Sequence, residues 1–125
     1  MKINCFEEII AWQKAKEQTI LLYRIFRQSK DYAFRDQILR ASLSIMNNIA
    51  EGFERKSNKE FRHFLFIAKA SCGEVRSMLI LAKDLTIIPE KEETELYSLC
   101  VEISKTIAGL IKALDIEQSP QKHTI

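Results

Sequence analysis

The sequence predicts an all-α protein, an antiparallel up-down-up-down four-helix bundle. Apolar residues recur at spacings of three, four and seven along nearly the whole chain, which is the period of amphipathic helices. Glycine and proline, which interrupt helices, number only 3 and 2 in 125 residues. No segment alternates apolar and polar residues with the period of a strand, so we expect no β-sheet. Four long helices joined by short connections are expected to pack antiparallel.

The first two helices are predicted from their apolar rows and from one candidate cap. Helix one is expected over Cys5–Gln28, with Asn4 as its N-cap. Its apolar positions form two rows, Ile9, Trp12, Thr19, Tyr23 and Phe26 in one and Phe6, Ile10, Leu21 and Ile25 in the other. After a polar connection, helix two is expected over Phe34–Glu54, with Gly52 as a left-handed residue near its end.

The last two helices carry clearer start signals. Ser57 and Glu60 form a capping box, in which the serine hydroxyl accepts the amide of Glu60 and the Glu60 carboxylate accepts the amide of Ser57. This box predicts helix three over Asn58–Leu85. Pro89 suits the first position of helix four, because its missing amide hydrogen has no partner there in any case. Helix four is expected to run to about Leu114 and to leave a polar tail over residues 116–125.

The predicted core collects the apolar positions that repeat along helices two, three and four. Its members are Ile38, Ile45, Ile49, Phe61, Leu65, Ala68, Leu99, Ile103, Ile107 and Leu110. Small residues beside this row, among them Cys72 and Gly73, suggest that two helices approach closely there. Gly73 lies in mid-helix, where it costs about 1 kcal/mol relative to alanine, and close packing is the expected compensation.

Composition favours one soluble, cytoplasmic domain. Hydrophobic residues make up 46% of the chain and charged residues 29%, as in globular proteins. The amino terminus has acidic residues where a signal peptide needs an apolar stretch, and no apolar run reaches the ~18 residues of a membrane span. The three cysteines are widely separated, which predicts reduced thiols rather than a metal site. We expect residues 1–115 to form the bundle, with no cofactor and no membrane association.

Charge is distributed unevenly along the chain. The formal net charge is +2, but residues 1–83 carry +6 and residues 84–125 carry −4. The densest basic group, which we call the basic link, joins helices two and three and consists of Arg55, Lys56, Lys59 and Arg62. Lysine and arginine at such a bend suit phosphate contacts that do not read sequence. Solvated helix surface, or contact between an acidic and a basic face of two subunits, explains the same residues.

Catalytic and metal chemistry have weak support. Ser44, Asn48 and Glu51 share one face of helix two, and Glu74 of helix three is a candidate partner for Glu51 in a carboxylate pair. Bundle di-metal sites also need two Glu-x-x-His pairs. Here only Glu60 and His63 have this spacing, and Glu60 already belongs to the capping box. We therefore interpret this face as a polar network between helices and predict no enzymatic activity.

The apolar stripes are wider than one core requires, and this predicts self-association. Helix one is apolar almost all the way round near Leu21 and Ile25, and helix four has a second apolar row that includes Tyr97 and Val101. A helix with two apolar faces usually has two partners. These four residues are the predicted subunit interface, with the edge of a monomer core as the alternative.

Several segments together resemble a known family. They are Phe6, Trp12–Ala15, Gln37–Ile45, Asn48–Gly52, Ser57–Phe61 and Ala68–Ser71. Over about residues 5–115 the chain resembles the bacterial four-helix bundle proteins, also called 23S rRNA intervening-sequence proteins. Arg35 and Met46 depart from the usual pattern, in which a capping Thr or Ser and a proline are common at those positions. The departures affect the start and the straightness of helix two.

The resemblance implies an up-down bundle that often assembles as a ring-shaped homopentamer, and no enzymatic activity. A more distant likeness is to the accessory protein of diversity-generating retroelements, which binds nucleic acid and a reverse transcriptase. The leading functional hypothesis is therefore a non-enzymatic homo-oligomer that binds RNA or DNA through the basic link. The alternative is a protein–protein interaction scaffold without nucleic-acid binding.

Overall fold

A computed structural model describes residues 2–116 and shows four long helices with short connections. A 3-10 turn at Phe6–Glu8 is followed by α1 (Ile10–Phe26), α2 (Tyr32–Phe53), α3 (Asn58–Asp84) and α4 (Glu90–Ile116). No β-strand occurs within residues 2–116, so the predicted all-α class is confirmed. The predicted tail lies outside the described residues, apart from the last residue of α4.

Each helix packs against its two neighbours, so that the four axes form a square. α1 contacts α2 and α4, and α3 contacts the same two helices from the opposite corner. The connections are only a few residues long, so consecutive helices run antiparallel, as predicted. Within residues 2–116 no helix is both long enough and apolar enough to cross a bilayer.

The predicted core is confirmed except at one position. Nine of its ten members are buried, and Ile38, Ile45, Phe61 and Ile103 have no exposed surface. Leu99 is only half-buried and packs against the edge of the core. Cys100, the next residue, takes the central place instead and is fully buried.

The start of α1 differs from the prediction. Asn4 does not cap the helix, because the chain first makes the 3-10 turn and then passes through Ile9 in an extended conformation. Ile9 is 3% exposed, so burying its side chain anchors the segment that leads into α1. The amide of Asn4 instead donates to Oε1 of Glu8 at 3.4 Å. The helix consequently begins at Ile10, five residues later than predicted.

The buried face of α1 is also rotated relative to the predicted rows. Ala11, Ala15, Gln18, Thr19, Leu22 and Phe26 are buried. Of the predicted first row, Trp12 is half-buried and Tyr23 is 39% exposed. Small alanines line the buried stripe, and they let α1 lie close to its neighbours while the larger aromatic residues remain at the rim.

Helix α2 begins two residues earlier than predicted because Asp31 caps it. Its carboxylate oxygen Oδ1 accepts the amide of Phe34 at 3.2 Å. Helix α2 is therefore capped at Asp31, although Arg35 departs from the capping Thr or Ser of the family pattern. Aspartate is among the preferred N-cap residues, since its oxygen satisfies an amide that has no partner inside the helix.

The serine half of the capping box at α3 is confirmed, since Ser57 Oγ accepts the amide of Glu60 at 3.2 Å. The Glu60 carboxylate accepts the Ser57 hydroxyl, also at 3.2 Å. Helix α4 starts one residue later than predicted, since the carbonyl of Pro89 accepts the first helical amide, that of Glu93, at 3.0 Å. The proline thus precedes the first helical residue.

Two predictions about glycine are wrong. Gly52 lies inside α2 with ordinary helical backbone, and no glycine among the described residues has positive φ. Its role is steric, because a Cβ there would lie 2.7 Å from Cβ of Phe64. Gly73 is exposed, and a Cβ added to it would meet nothing within 4 Å. The close approach of α2 and α3 therefore occurs at Gly52.

Candidate functional site

The basic link lies at one end of the bundle, where the chain turns from α2 into α3. Lys56 and Lys59 are exposed, and within residues 2–116 neither forms an ion pair with a carboxylate. The capping box fixes the backbone between them, so both ammonium groups extend into solvent from a defined bend.

The two arginines of the basic link are already engaged within the chain. Arg55 Nη2 lies 3.0 Å from Oε1 of Glu51, and its guanidinium stacks 4.7 Å above the ring of Phe64. Arg62 Nη1 lies 3.4 Å from Oδ1 of Asp115, which ties α3 to the end of α4. The structure thus brings all four predicted residues to one end of the bundle but divides them into two unpaired lysines and two ion-paired arginines.

A second basic surface lies along the side of the bundle between α1 and α2. This α1–α2 groove has a volume of about 790 Å³ and is lined on α1 by Tyr23 and Arg27. Arg35, Asp36 and Arg40 line it from α2. The sequence analysis did not connect Arg27 with Arg35 or Arg40. Asp36 and Arg40 are four residues apart, which places them on one face of α2, and this spacing was the available signal that they share a surface.

The polar face predicted on α2 forms a network with α3. The hydroxyls of Ser44 and Ser71 lie 2.8 Å apart, and Nδ2 of Asn48 donates to the Ser44 carbonyl at 2.8 Å and to its hydroxyl at 3.0 Å. Glu51 does not join Glu74 in a carboxylate pair, because Glu51 contacts Arg55 and Glu74 accepts a hydrogen bond from Gln37. The network satisfies polar groups between two helices, which is the structural role expected from the sequence.

Residues of metal-binding type are dispersed over the described part of the chain. Within residues 2–116, no three or more His, Cys, Asp or Glu side chains lie close enough together to hold an ion. His63 instead packs edge-on against Phe64, with ring centroids 5.6 Å apart.

Two cysteines predicted to be separate thiols meet in the core between α3 and α4. Sγ of Cys72 lies 3.4 Å from Sγ of Cys100, and each thiol is within hydrogen-bond distance of the other residue's carbonyl. The contact with Cys100 lowers the pKa of the Cys72 thiol, whereas the same contact, followed by burial, raises the pKa of the Cys100 thiol. Both thiols are free in this structure.

The four predicted interface residues occupy two different environments. Leu21 and Ile25 are half-buried and pack against the chain's own core. Tyr97 and Val101, also half-buried, line a groove of about 660 Å³ between α3 and α4, together with Ile80. Sequence reasoning missed the most exposed large apolar residues of α3. They are Phe66, Ile67, Ile80 and Leu81.

Comparison with known proteins identifies the family. A family model described as 23S rRNA-intervening sequence protein matches residues 7–109. Among curated proteins, none matches this sequence. The crystal structure of a protein of unknown function from the S23 ribosomal protein family of Bacteroides thetaiotaomicron is similar, with a TM-score of 0.77 and 25% sequence identity over 82% of this chain and 99% of that chain. Since the family model covers most of its length, this chain belongs to the 23S rRNA-intervening sequence protein family.

Proposed function

We propose that this chain is a non-enzymatic, homo-oligomeric helical bundle that binds RNA or DNA through the basic link. The observation that carries the proposal is the pair of exposed lysines, Lys56 and Lys59, which have no carboxylate partner among the described residues. Phosphate contacts need positive charge and reach, and both lysines supply them from a bend whose backbone is held by a cap. The family's description, with its reference to 23S rRNA, is compatible with a nucleic-acid setting.

The two paired arginines can also contact phosphate, because breaking their ion pairs costs little free energy. The Arg55 pair is exposed and the Arg62 pair is exposed on its Asp115 side, and pairs in contact with solvent contribute only about 0.2–1 kcal/mol. A phosphate that replaces the carboxylate of Glu51 or Asp115 therefore has little to overcome. All four basic side chains then serve as separate point charges near one end of the bundle.

Assembly would strengthen a contact that is weak in one subunit. The apolar surface available for it includes Tyr97 and Val101, with Leu21 and Ile25 at the edge of the core on α1. The number five for the ring derives from the family resemblance. Each added subunit repeats the basic link, so that several weak contacts with one nucleic acid gain from avidity.

The nucleic-acid part is tested by fluorescence anisotropy with labelled RNA and DNA at several salt concentrations. We expect Lys56→Glu/Lys59→Glu to weaken binding strongly and the fourfold Glu variant of the basic link to abolish it at low salt. Binding by the parent should fall linearly on a log–log plot against salt. The matched control is Lys91→Glu/Lys112→Glu, which makes the same change of net charge at exposed positions of α4. Equal binding by the parent and the fourfold variant excludes the basic link.

The assembly part is tested by sedimentation at micromolar concentration. We expect a species several times heavier than the 14.5 kDa chain, and partial or complete dissociation in Tyr97→Glu/Val101→Glu. A parent that sediments only as a 14.5 kDa species excludes self-association.

The alternative is a protein–protein interaction scaffold, and one observation favours it. Phe66 is 57% exposed and Leu81 46% exposed on α3, an unusual amount of apolar surface for one helix. Salt separates the two functions, because phosphate binding weakens steeply as salt rises whereas apolar association does not.

A further inference from the structure

The α1–α2 groove concentrates arginine on one side of the bundle. Three arginines and a single aspartate line it, namely Arg27, Arg35, Arg40 and Asp36. The corresponding groove between α3 and α4 is lined by one lysine and two acidic residues. Part of the positive charge of the first three helices therefore lies on this face, separate from the basic link.

Two of these arginines are available for a ligand. Arg27 and Arg40 are exposed and form no ion pair within residues 2–116. Arg35 is held differently, with Nε 2.9 Å from Oδ1 of Asp36 and its guanidinium 4.7 Å above the ring of Tyr32. Asp36, the carboxylate that lines the groove in the described part of the chain, is thus already paired with Arg35. Arg27 directly follows α1 and Arg40 lies on α2, so the two charges come from the two sides of the helix pair that borders the groove.

Aromatic and apolar surface accompanies the charge. Tyr23, on the α1 wall, is 39% exposed, and Tyr32, at the start of α2, is 59% exposed. Leu39 and Leu43 contribute apolar lining. Arginines beside an exposed aromatic ring provide both parts of a binding site for unpaired nucleotides, since the charges take the phosphates and the ring stacks on a base.

The exposed tyrosine selects the kind of nucleic acid. Its ring can stack only on a base that is not already stacked and paired in a double helix, which favours a single strand. A single strand can follow the groove with its bases against the tyrosine. We infer that the α1–α2 groove binds single-stranded nucleic acid, with Arg27 and Arg40 on phosphates and Tyr23 stacked on a base. This inference rests on the proposed nucleic-acid function and adds a second site and a strand preference to it.

The test compares a labelled 12-nucleotide single strand with the same sequence as a duplex, by fluorescence anisotropy. For the parent we expect tighter binding of the single strand than of the duplex. Arg27→Gln/Arg40→Gln should weaken single-strand binding at least tenfold and make the log–log salt slope less steep by about 1.4, which corresponds to the two phosphates held by these arginines at about 0.7 each.

A second variant tests stacking. Tyr23→Leu keeps an apolar side chain and the charge of the groove, so we expect about tenfold weaker binding with an unchanged salt slope. Lys91→Gln/Lys112→Gln on α4 matches the charge lost in the double arginine variant and should bind like the parent. All substituted positions except Tyr23 are remote from the core, and circular dichroism verifies that each variant remains helical.

The outcomes separate this site from the basic link. If the arginine variant binds like the parent while Lys56→Glu/Lys59→Glu does not, the groove is excluded and the proposed function stands. If the parent binds no nucleic acid at low salt, both proposals fail. If Arg27→Gln/Arg40→Gln lowers the sedimenting mass without weakening binding per subunit, the groove is a contact between subunits and the inference is overturned.

Discussion

At Gly52 α2 and α3 approach closely, and replacing this residue with alanine tests the packing of the bundle. A Cβ at this position would lie 2.7 Å from Cβ of Phe64, 3.0 Å from Cδ1 of Phe61 and 3.3 Å from the Phe61 carbonyl oxygen. Ordinary contact begins at about 3.4 Å, so the two helices must separate locally by about 0.7 Å. Neither a Cβ atom nor a backbone carbonyl relieves the clash by a rotamer change.

Two opposing effects set the magnitude. Alanine gains about 0.5–1 kcal/mol over glycine in a helix, whereas overpacking a dense core costs about 1–3 kcal/mol. We expect Gly52→Ala to lower the free energy of unfolding by about 1–2 kcal/mol. Gly73→Ala is the matched control, because a Cβ there meets nothing within 4 Å and only the helical gain of about 0.5–1 kcal/mol remains.

The assay is urea and thermal unfolding followed by circular dichroism, with all variants at one protein concentration because self-association would shift Tm. The two alanine variants should differ by about 2 kcal/mol, with Gly52→Ala below the parent and Gly73→Ala above it. A Gly52→Ala variant as stable as Gly73→Ala would refute the close approach of α2 and α3 at this residue.

Four further changes probe other features of the bundle. Gln18 has no exposed surface, and within residues 2–116 neither of its side-chain polar atoms has a hydrogen-bond partner, so Gln18→Leu should raise the free energy of unfolding by about 1–3 kcal/mol, and a loss would show that the amide is hydrogen-bonded. Thr86 closes α3 with φ of 55°, which suits glycine, so Thr86→Gly should raise Tm in a thermal scan, while a lower Tm would contradict strain there. Ile45→Ala should cost about 2–5 kcal/mol in urea unfolding, since the side chain is fully buried, and a change near zero would place it at the surface. Diamide should join Cys72 to Cys100 within one chain, because their sulfurs need to close only from 3.4 Å to about 2.0 Å, and mass spectrometry showing only links between chains would contradict this geometry.

The helical architecture was readable from the sequence because it depends on local patterns. The capping box at Ser57 positions the start of α3 through groups only three residues apart. Heptad-like spacing placed Ile38, Ile45 and Ile103 in the core, since α2 and α4 each have one dominant apolar row. The family resemblance used the same local segments and agreed with the matched family model.

The sequence could not predict which face of α1 is buried, because two apolar rows compete on that helix. Burial of Ala11, Ala15 and Gln18 instead of Trp12 depends on how closely α2 and α4 approach, and small side chains give a weak sequence signal. The prediction that Gly52 is a left-handed residue was wrong for a similar reason. Its steric role depends on Phe64, which lies on the next helix.

The same distinction between local and tertiary information applies to the candidate sites. The sequence by itself determined the basic link, since Lys56 and Lys59 are neighbours in the chain and their charge requires no partner. Only the tertiary structure decided that Arg55 and Arg62 are ion-paired, and that Arg27 and Arg40 line the same groove. The physical reason is that periodicity and capping act within one helix, whereas a groove or an ion pair between helices depends on how two helices pack side by side.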